Sequence, residues 1–94
     1  MKKLSAAEIQ EKLDALPHWE YKDGCICKTF VFKDFKEAFA KMTRIAFECE
    51  AQQHHPDWEN VYNRLHIRLN THDVGGITQN DFDLAAIIED IAST

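Results

Sequence analysis

The stretch from Asp34 to Gln53, DFKEAFAKMTRIAFECEAQQ, is the strongest organising signal in this chain, and Pro56 dictates where it must stop. Asp34 and Glu37 stand at the spacing of a helix cap and its reciprocal acid. Phe35, Ala38, Phe39, Met42, Ile45, Ala46 and Cys49 then recur at helical spacing, which predicts a helix over 34–53 with this stripe in the core. The residue before a proline is driven out of the α region, so the helix cannot run through Pro56. Two adjacent histidines, His54 and His55, are therefore placed at a broken helix end.

The flanking segments read as partners for that helix. Ser5, Glu8, and the pair Leu4 and Ile9 mark a helix start, and Pro17 ends it, giving a helix over 5–16. The run HWEYKDGCICKTFVF predicts strands over 18–23 and 25–32, joined at Asp23-Gly24, a favoured hairpin turn. A second hairpin is expected over 57–62 and 65–71, where Leu65, Ile67 and Leu69 alternate with His66, Arg68 and Asn70. Its turn is expected near Asn63-Arg64. Thr78 opens a last helix over 78–92, on which Phe82, Ala85, Ile88 and Ala92 share a face.

The order α-β-β-α-β-β-α predicts an α+β fold, a four-stranded antiparallel sheet with helices packed on one face. Ninety-four residues without a linker or repeat correspond to a single domain over 1–94. Exposed sheet edges make dimer formation through an edge strand a natural expectation.

Bulk chemistry narrows the function. A net charge of -5 with scattered Lys and Arg argues against nucleic-acid binding. No apolar run approaches the ~20 residues of a membrane span. Polar residues interrupt MKKLSAAEIQEKL where a signal peptide needs an apolar core. Three cysteines, an odd number, suit a reducing compartment, and the cytoplasm is the expected location.

The candidate chemistry lies with the histidines. Helix C-terminal carbonyls favour a protonated imidazole, which suits His54 or His55 to general-acid work. Glu50, four residues before His54, either orients that ring or forms an ordinary surface pair worth ~0.2–0.5 kcal/mol. His72 lies past a strand and before Gly75-Gly76; Asp81 either braces it or caps the last helix. His66 reads as a strand residue and His18 as a turn residue. A metal is not expected: there is no H-E-x-x-H or C-x-x-C, and adjacent histidines rarely both reach one ion. Cys49 falls on the apolar stripe, where a thiol is normally inert.

The combination EAQQHHPDWENVYNRLHIRLNTHDVGGITQNDFDLA resembles the pterin-4a-carbinolamine dehydratase family. The residues that carry the resemblance are Glu50, His54, His55, Pro56, Trp58, Tyr62, Thr71, His72 and Asp81, and the predicted element order agrees with it. The resemblance implies a hydro-lyase that dehydrates a 4a-hydroxytetrahydropterin to the quinonoid dihydropterin, the recycling step that follows an aromatic amino acid hydroxylase. It implies His54, His55 and His72 as catalytic residues, with His54 and His72 as the acid–base pair and His55 helping to hold the pterin. It places Pro56, Thr71, Asp73 and Val74 with these histidines against the substrate, and Glu50 and Asp81 behind the rings. It also implies no metal or organic cofactor, and a homodimer or homotetramer. Two alternatives stand beside it: a dimeric protein-binding module, like the family members that serve as dimerisation cofactors for a homeodomain transcription factor, and a dehydratase of another pterin.

Overall fold

The structure is a computed structural model that describes residues 1–94. Its elements follow in the order α1 (Ala6–Leu13), β1 (Glu20–Lys22), β2 (Cys25–Val31), α2 (Phe35–Ala51), β3 (Asp57–Val61), β4 (Arg64–Leu69), the short helical turn His72–Val74, and α3 (Gln79–Ser93). The sheet is antiparallel throughout, as expected, with strand order β1-β2-β4-β3: the two hairpins form the outer pairs and β2 joins β4 at the centre. No helix is long and apolar enough to cross a membrane.

The start signals of α1 and α3 form the contacts their residues encode, whereas at α2 Asp34 accepts the Glu37 N–H but the Glu37 carboxylate accepts the Lys33 N–H in place of the reciprocal bond. Ser5 accepts the Glu8 N–H while the Glu8 carboxylate accepts the Ser5 N–H. Exposed Glu8 is thereby held at a pKa of about 2, chiefly by that backbone N–H and by Lys2. Leu4 and Ile9 are both buried in the core, as a hydrophobic staple would place them. Asp23 and Gly24 both take positive φ (54° and 77°), the backbone of a two-residue turn whose twist matches the strands.

Where element boundaries differ from expectation they do so by one to three residues, and three of the differences have a local cause. The first helix stops at Leu13 because its exit tightens: the N–H groups of Asp14, Ala15 and Leu16 bond three residues back, to Glu11, Lys12 and Leu13. His18 then adopts a left-handed φ of 72°, which delays β1 to Glu20. The second hairpin turns at Tyr62-Asn63, one residue earlier than expected, because Val61 pairs with Arg64. Asn63 fastens that turn to the end of β2 through two bonds with the Phe32 backbone.

The core lies on one side of the sheet. Ile26 and Phe30 of β2 sit opposite Leu69 and Leu65 of β4, with Ile67 between them. Ile9 and Leu13 of α1, Ile45 and Cys49 of α2, and Phe82, Ala85, Ile88 and Ile91 of α3 close over this face. Lys28 is the one charged residue of β2 facing the helices. It pairs with Glu89 of α3, which also accepts the Trp19 indole N–H at 2.9 Å. Lys41 of α2 donates to the Ile91 carbonyl at 2.9 Å, a cation at the C-terminal end of α3.

The apolar stripe of α2 divides, contrary to its reading as core. Ala38, Ile45 and Cys49 are buried, but Phe35, Phe39 and Ala46 are exposed, and Phe47 is 72% exposed. Periodicity records that a helix is apolar over a wide arc, and only half of that arc meets this chain's own sheet.

Ile67, fully buried on a central strand, should lose ~2–5 kcal/mol on truncation to Ala, whereas exposed Val31→Ala should stay within ~0.5 kcal/mol. Urea denaturation of the two variants checks this. Equal midpoints would contradict the assignment of the core to this face.

Candidate active site

The end of α2 is built by a specific backbone device. Gln53 takes φ 55°, the left-handed conformation that closes many helices. Its N–H bonds to the Glu50 carbonyl at 3.2 Å, and the His54 N–H bonds to the Cys49 carbonyl at 3.0 Å. These two bonds make a Schellman closure with Gln53 in the position more often held by glycine. Pro56 then keeps the chain extended into β3. His54 is thus fixed by backbone bonds, not left on a fraying end.

A second turn faces it. Thr71, just past β4, pairs with Gly76 through two backbone bonds, 2.8 Å from its N–H and 3.4 Å to its carbonyl. His72, Asp73 and Val74 form one helical turn inside that bridge. Gly75 closes it at φ 64°, its N–H bonded to the His72 carbonyl at 3.1 Å. Only a residue tolerant of positive φ closes so tight a turn without strain.

His54, His55 and His72 line one open cleft of about 200 Å³, together with Thr71 and Asp73. Asn70, Gln53, Asn80 and Met1 complete its wall and carried no signal in the sequence beyond being polar or terminal. Pro56 and Val74 stand outside this lining; Pro56 acts on the cleft by stopping α2, and Val74 by forming the turn that carries His72.

The partners of the rings differ from both orienting expectations. Glu50 does not meet His54; it accepts from His55 Nε2 at 2.9 Å, and both side chains are well exposed. Such a pair contributes ~0–1 kcal/mol. Asp81 does not reach His72. It lies behind His54, with Oδ1 2.5 Å from His54 Nε2. The broken helix end explains the exchange: after Gln53 turns left-handed, residues 54 and 55 no longer follow helical spacing from Glu50. His72 makes no hydrogen bond through its ring, which leaves both nitrogens open to the cleft or to solvent.

Asp81 is fully buried. Its Oδ2 accepts the Thr71 hydroxyl and the Thr78 N–H, each at 2.9 Å. Thr71 and Thr78 hydroxyls are 2.8 Å apart, and Thr78 Oγ1 also accepts the Asn80 N–H at 3.2 Å. Asp81 therefore caps α3, as expected, and also ties α2 and β4 to it. Every buried side-chain polar atom of the protein has a partner. Oδ2 takes both of the other donors, which leaves Oδ1 for His54; with the carboxylate ionised, Oδ1 accepts from Nε2–H, and in the neutral ring Nδ1 keeps the lone pair.

Other chemistries find less support. Burial pushes all three thiols up, Cys49 to about 11, which removes a ready thiolate nucleophile. No group of three or more His, Cys, Asp or Glu side chains converges in a geometry that could hold a metal ion. A larger groove of about 390 Å³ lies on the bare face of the sheet and includes His66. His66 Nδ1 is engaged by the Thr29 hydroxyl at 2.7 Å there, and Arg68 is taken up by Asp57 at 3.1 Å. That hydrogen bond also holds the Asp57 carboxyl below its usual range. Chemistry, not volume, singles out the histidine cleft.

An antiparallel α+β layer fold with a histidine-lined cleft at a helix end is the class this geometry defines. The model of the family described as pterin 4 alpha carbinolamine dehydratase matches residues 2–91, and the chain belongs to that family. A relative from Christiangramia forsetii is 56% identical over the whole of this chain and 97% of its own length. One from Synechococcus sp. (strain WH7803) is 49% identical, over 92% of each chain. Both are provisionally named pterin-4-alpha-carbinolamine dehydratases. A crystal structure from Brucella melitensis, described as a transcriptional coactivator/pterin dehydratase, superposes with a TM-score of 0.94 at 39% identity, covering 97% of this chain and 99% of its own.

Removing Asp81 leaves three donors without an acceptor in a site closed to water. Asp81→Ala should cost ~3–5 kcal/mol, while Glu50→Ala should stay within ~0.5 kcal/mol. Chemical denaturation of the two variants separates these outcomes, and similar losses would contradict the buried node.

Proposed function

We propose that this protein is a hydro-lyase that converts a 4a-hydroxytetrahydropterin to the quinonoid dihydropterin and water. The observation that carries the reading is the convergence of His54, His55 and His72 on one cleft, with a buried carboxylate behind His54. Membership of the family supports the pterin as substrate.

The reaction asks for two proton transfers and nothing heavier. The C4a–O bond breaks as the leaving hydroxide takes a proton and departs as water. The N5 proton is lost and the C4a–N5 double bond forms. A positioned imidazole can serve either transfer, because its ordinary pKa lies near neutrality. His54 and His72 act as the acid–base pair, and His55 holds the pterin from the exposed side of the cleft. Thr71 is buried, and its hydroxyl is committed to Asp81, so its contribution comes through its backbone and through the node. Asp73 contributes from the cleft wall. Neither metal nor organic cofactor enters this scheme. The place for such an activity is the cytoplasm, after an aromatic amino acid hydroxylase has released the carbinolamine.

A homodimer or homotetramer is the assembly we propose. Its support is the second apolar arc of α2, where Phe39 and Phe47 join Met42 and Trp58 in a shallow groove of about 270 Å³. The same surface is where a protein partner would dock in a binding module, a reading that the Brucella protein's description as a coactivator keeps in view.

Each acid–base histidine should supply ~10²–10⁴ in rate. His54→Ala and His72→Ala should each lower turnover of chemically generated carbinolamine by that factor; His72→Ala should leave Tm nearly unchanged, whereas His54→Ala, which strips the partner from a buried Asp81 oxygen, should also lower it. His55→Ala should raise KM at least as much as it lowers kcat, and His66→Ala should change neither. If His66→Ala is as damaging as His72→Ala, or if the double variant His54→Ala/His72→Ala turns over normally, the assignment fails.

Sedimentation equilibrium tests the assembly. Phe39→Glu and Phe47→Glu should each shift the protein toward monomer while circular dichroism stays native. An unchanged oligomer would place the interface elsewhere.

A further inference from the structure

We infer that Thr78 is a positioning residue for the histidine acid–base step, acting through Thr71 and Asp81 on His54; the inference rests on the dehydratase reading of the cleft. Thr78 is 1% exposed and lies outside the cleft lining. Its influence has to travel through hydrogen bonds.

Proton counting gives the network a direction. A threonine hydroxyl has a single proton to donate. The Thr71 proton goes to Asp81 Oδ2 at 2.9 Å, since the carboxylate accepts there. At the 2.8 Å contact between the two hydroxyls, the donor must then be Thr78. The Thr78 oxygen in turn accepts the Asn80 N–H at the start of α3. Donation therefore runs one way from the α3 backbone through Thr78 and Thr71 to Asp81 Oδ2, and the other carboxylate oxygen, Oδ1, meets His54 Nε2 at 2.5 Å.

Thr78 grips the carboxylate twice. Its backbone N–H reaches Oδ2 directly at 2.9 Å, and its hydroxyl fixes the Thr71 rotor that supplies the second donor. Both donors act on Oδ2, so together they set the rotation of the carboxylate and leave Oδ1 aimed at the ring. With Asp81 fully buried, no water replaces a lost donor. Loss of the Thr78 hydroxyl frees the Thr71 rotor, and the error reaches the ring that transfers the proton. Catalytic groups tolerate displacements of only ~0.5 Å before rate suffers.

The test combines rescue with a double-mutant cycle. Thr78→Val, of the same shape without the hydroxyl, should lower kcat about tenfold, the scale of one lost hydrogen bond, with KM within about twofold. Thr78→Ser, which restores the donor, should recover most of the rate. In a His54→Ala background, Thr78→Val should remove less than about twofold more, because its target is gone. A merely structural role would lower Tm and leave the two losses additive. Thr71→Val, which cuts the same chain one link later, should reproduce the kinetic pattern if Thr78→Val does not fold. Neutron diffraction on the unmodified protein reads the relay without any variant: the Thr78 hydroxyl proton should lie toward Thr71. A proton pointed elsewhere, full kcat in Thr78→Val beside an impaired His54→Ala, or additive losses would each overturn the inference. If the unmodified protein does not dehydrate the carbinolamine at all, the reading of the cleft fails, and the neutron result still decides the relay.

Discussion

A carboxylate with no access to water holds this structure's working end together. Asp81 is fully buried, and an ion in that position is tolerable only when its lone pairs are filled by fixed donors. The donors come from three different elements: the first turn of α3, the strand exit at Thr71, and the broken end of α2 at His54. Each element is thereby forced into one position relative to the others. The same arrangement that satisfies the carboxylate also orients an imidazole, so the stability of this corner and the chemistry proposed for it share a single cause.

The two flanking histidines show what that burial does. His54 and His55 are neighbours in sequence and each has a carboxylate partner, yet the partners are unlike. Glu50 and His55 stand in solvent, where side-chain entropy and screening leave the pair little energy. Asp81 and His54 lie in a region of low dielectric, where alignment is tightly specified. Rigidity is therefore uneven across the cleft: one ring is held, one is loosely paired, and His72 rides on a helical turn whose backbone is fixed while its ring stays unbonded. In the dehydratase we propose, a planar substrate is gripped while two protons move, and that gradation has a use there.

Much of the architecture was legible in the sequence because its signals are local. Ser5 with Glu8, Asp34 with Glu37, and Asp23-Gly24 each declare a cap or turn from residues a few positions apart, and Pro56 bounds α2 without reference to the rest of the chain. The resemblance gathers the three histidines, Pro56, Thr71, Asp73 and Val74 in one place, and the cleft lining holds all of these but Pro56 and Val74. The partners of the rings were not legible. Helical spacing pointed from Glu50 to His54, but the left-handed Gln53 swings the chain so that His55 meets Glu50 instead. Asp81 could be read as a cap from its spacing to Thr78; that its other oxygen reaches back to residue 54 is a tertiary fact. The apolar arc of α2 misled for a related reason. Phe35 and Phe39 satisfy a helical period, yet no period states whether the covering surface belongs to the same molecule.

Nitrogen-15 spectroscopy of the His54 imidazole reads the proton between His54 and Asp81 without altering either residue. The neutral ring should exist as a single tautomer, protonated at Nε2 toward Asp81 and with Nδ1 bearing the lone pair. In Asp81→Asn this fixed preference should relax, provided the variant remains folded. A neutral His54 protonated at Nδ1, or one averaging freely between tautomers as an exposed histidine does, would contradict the account.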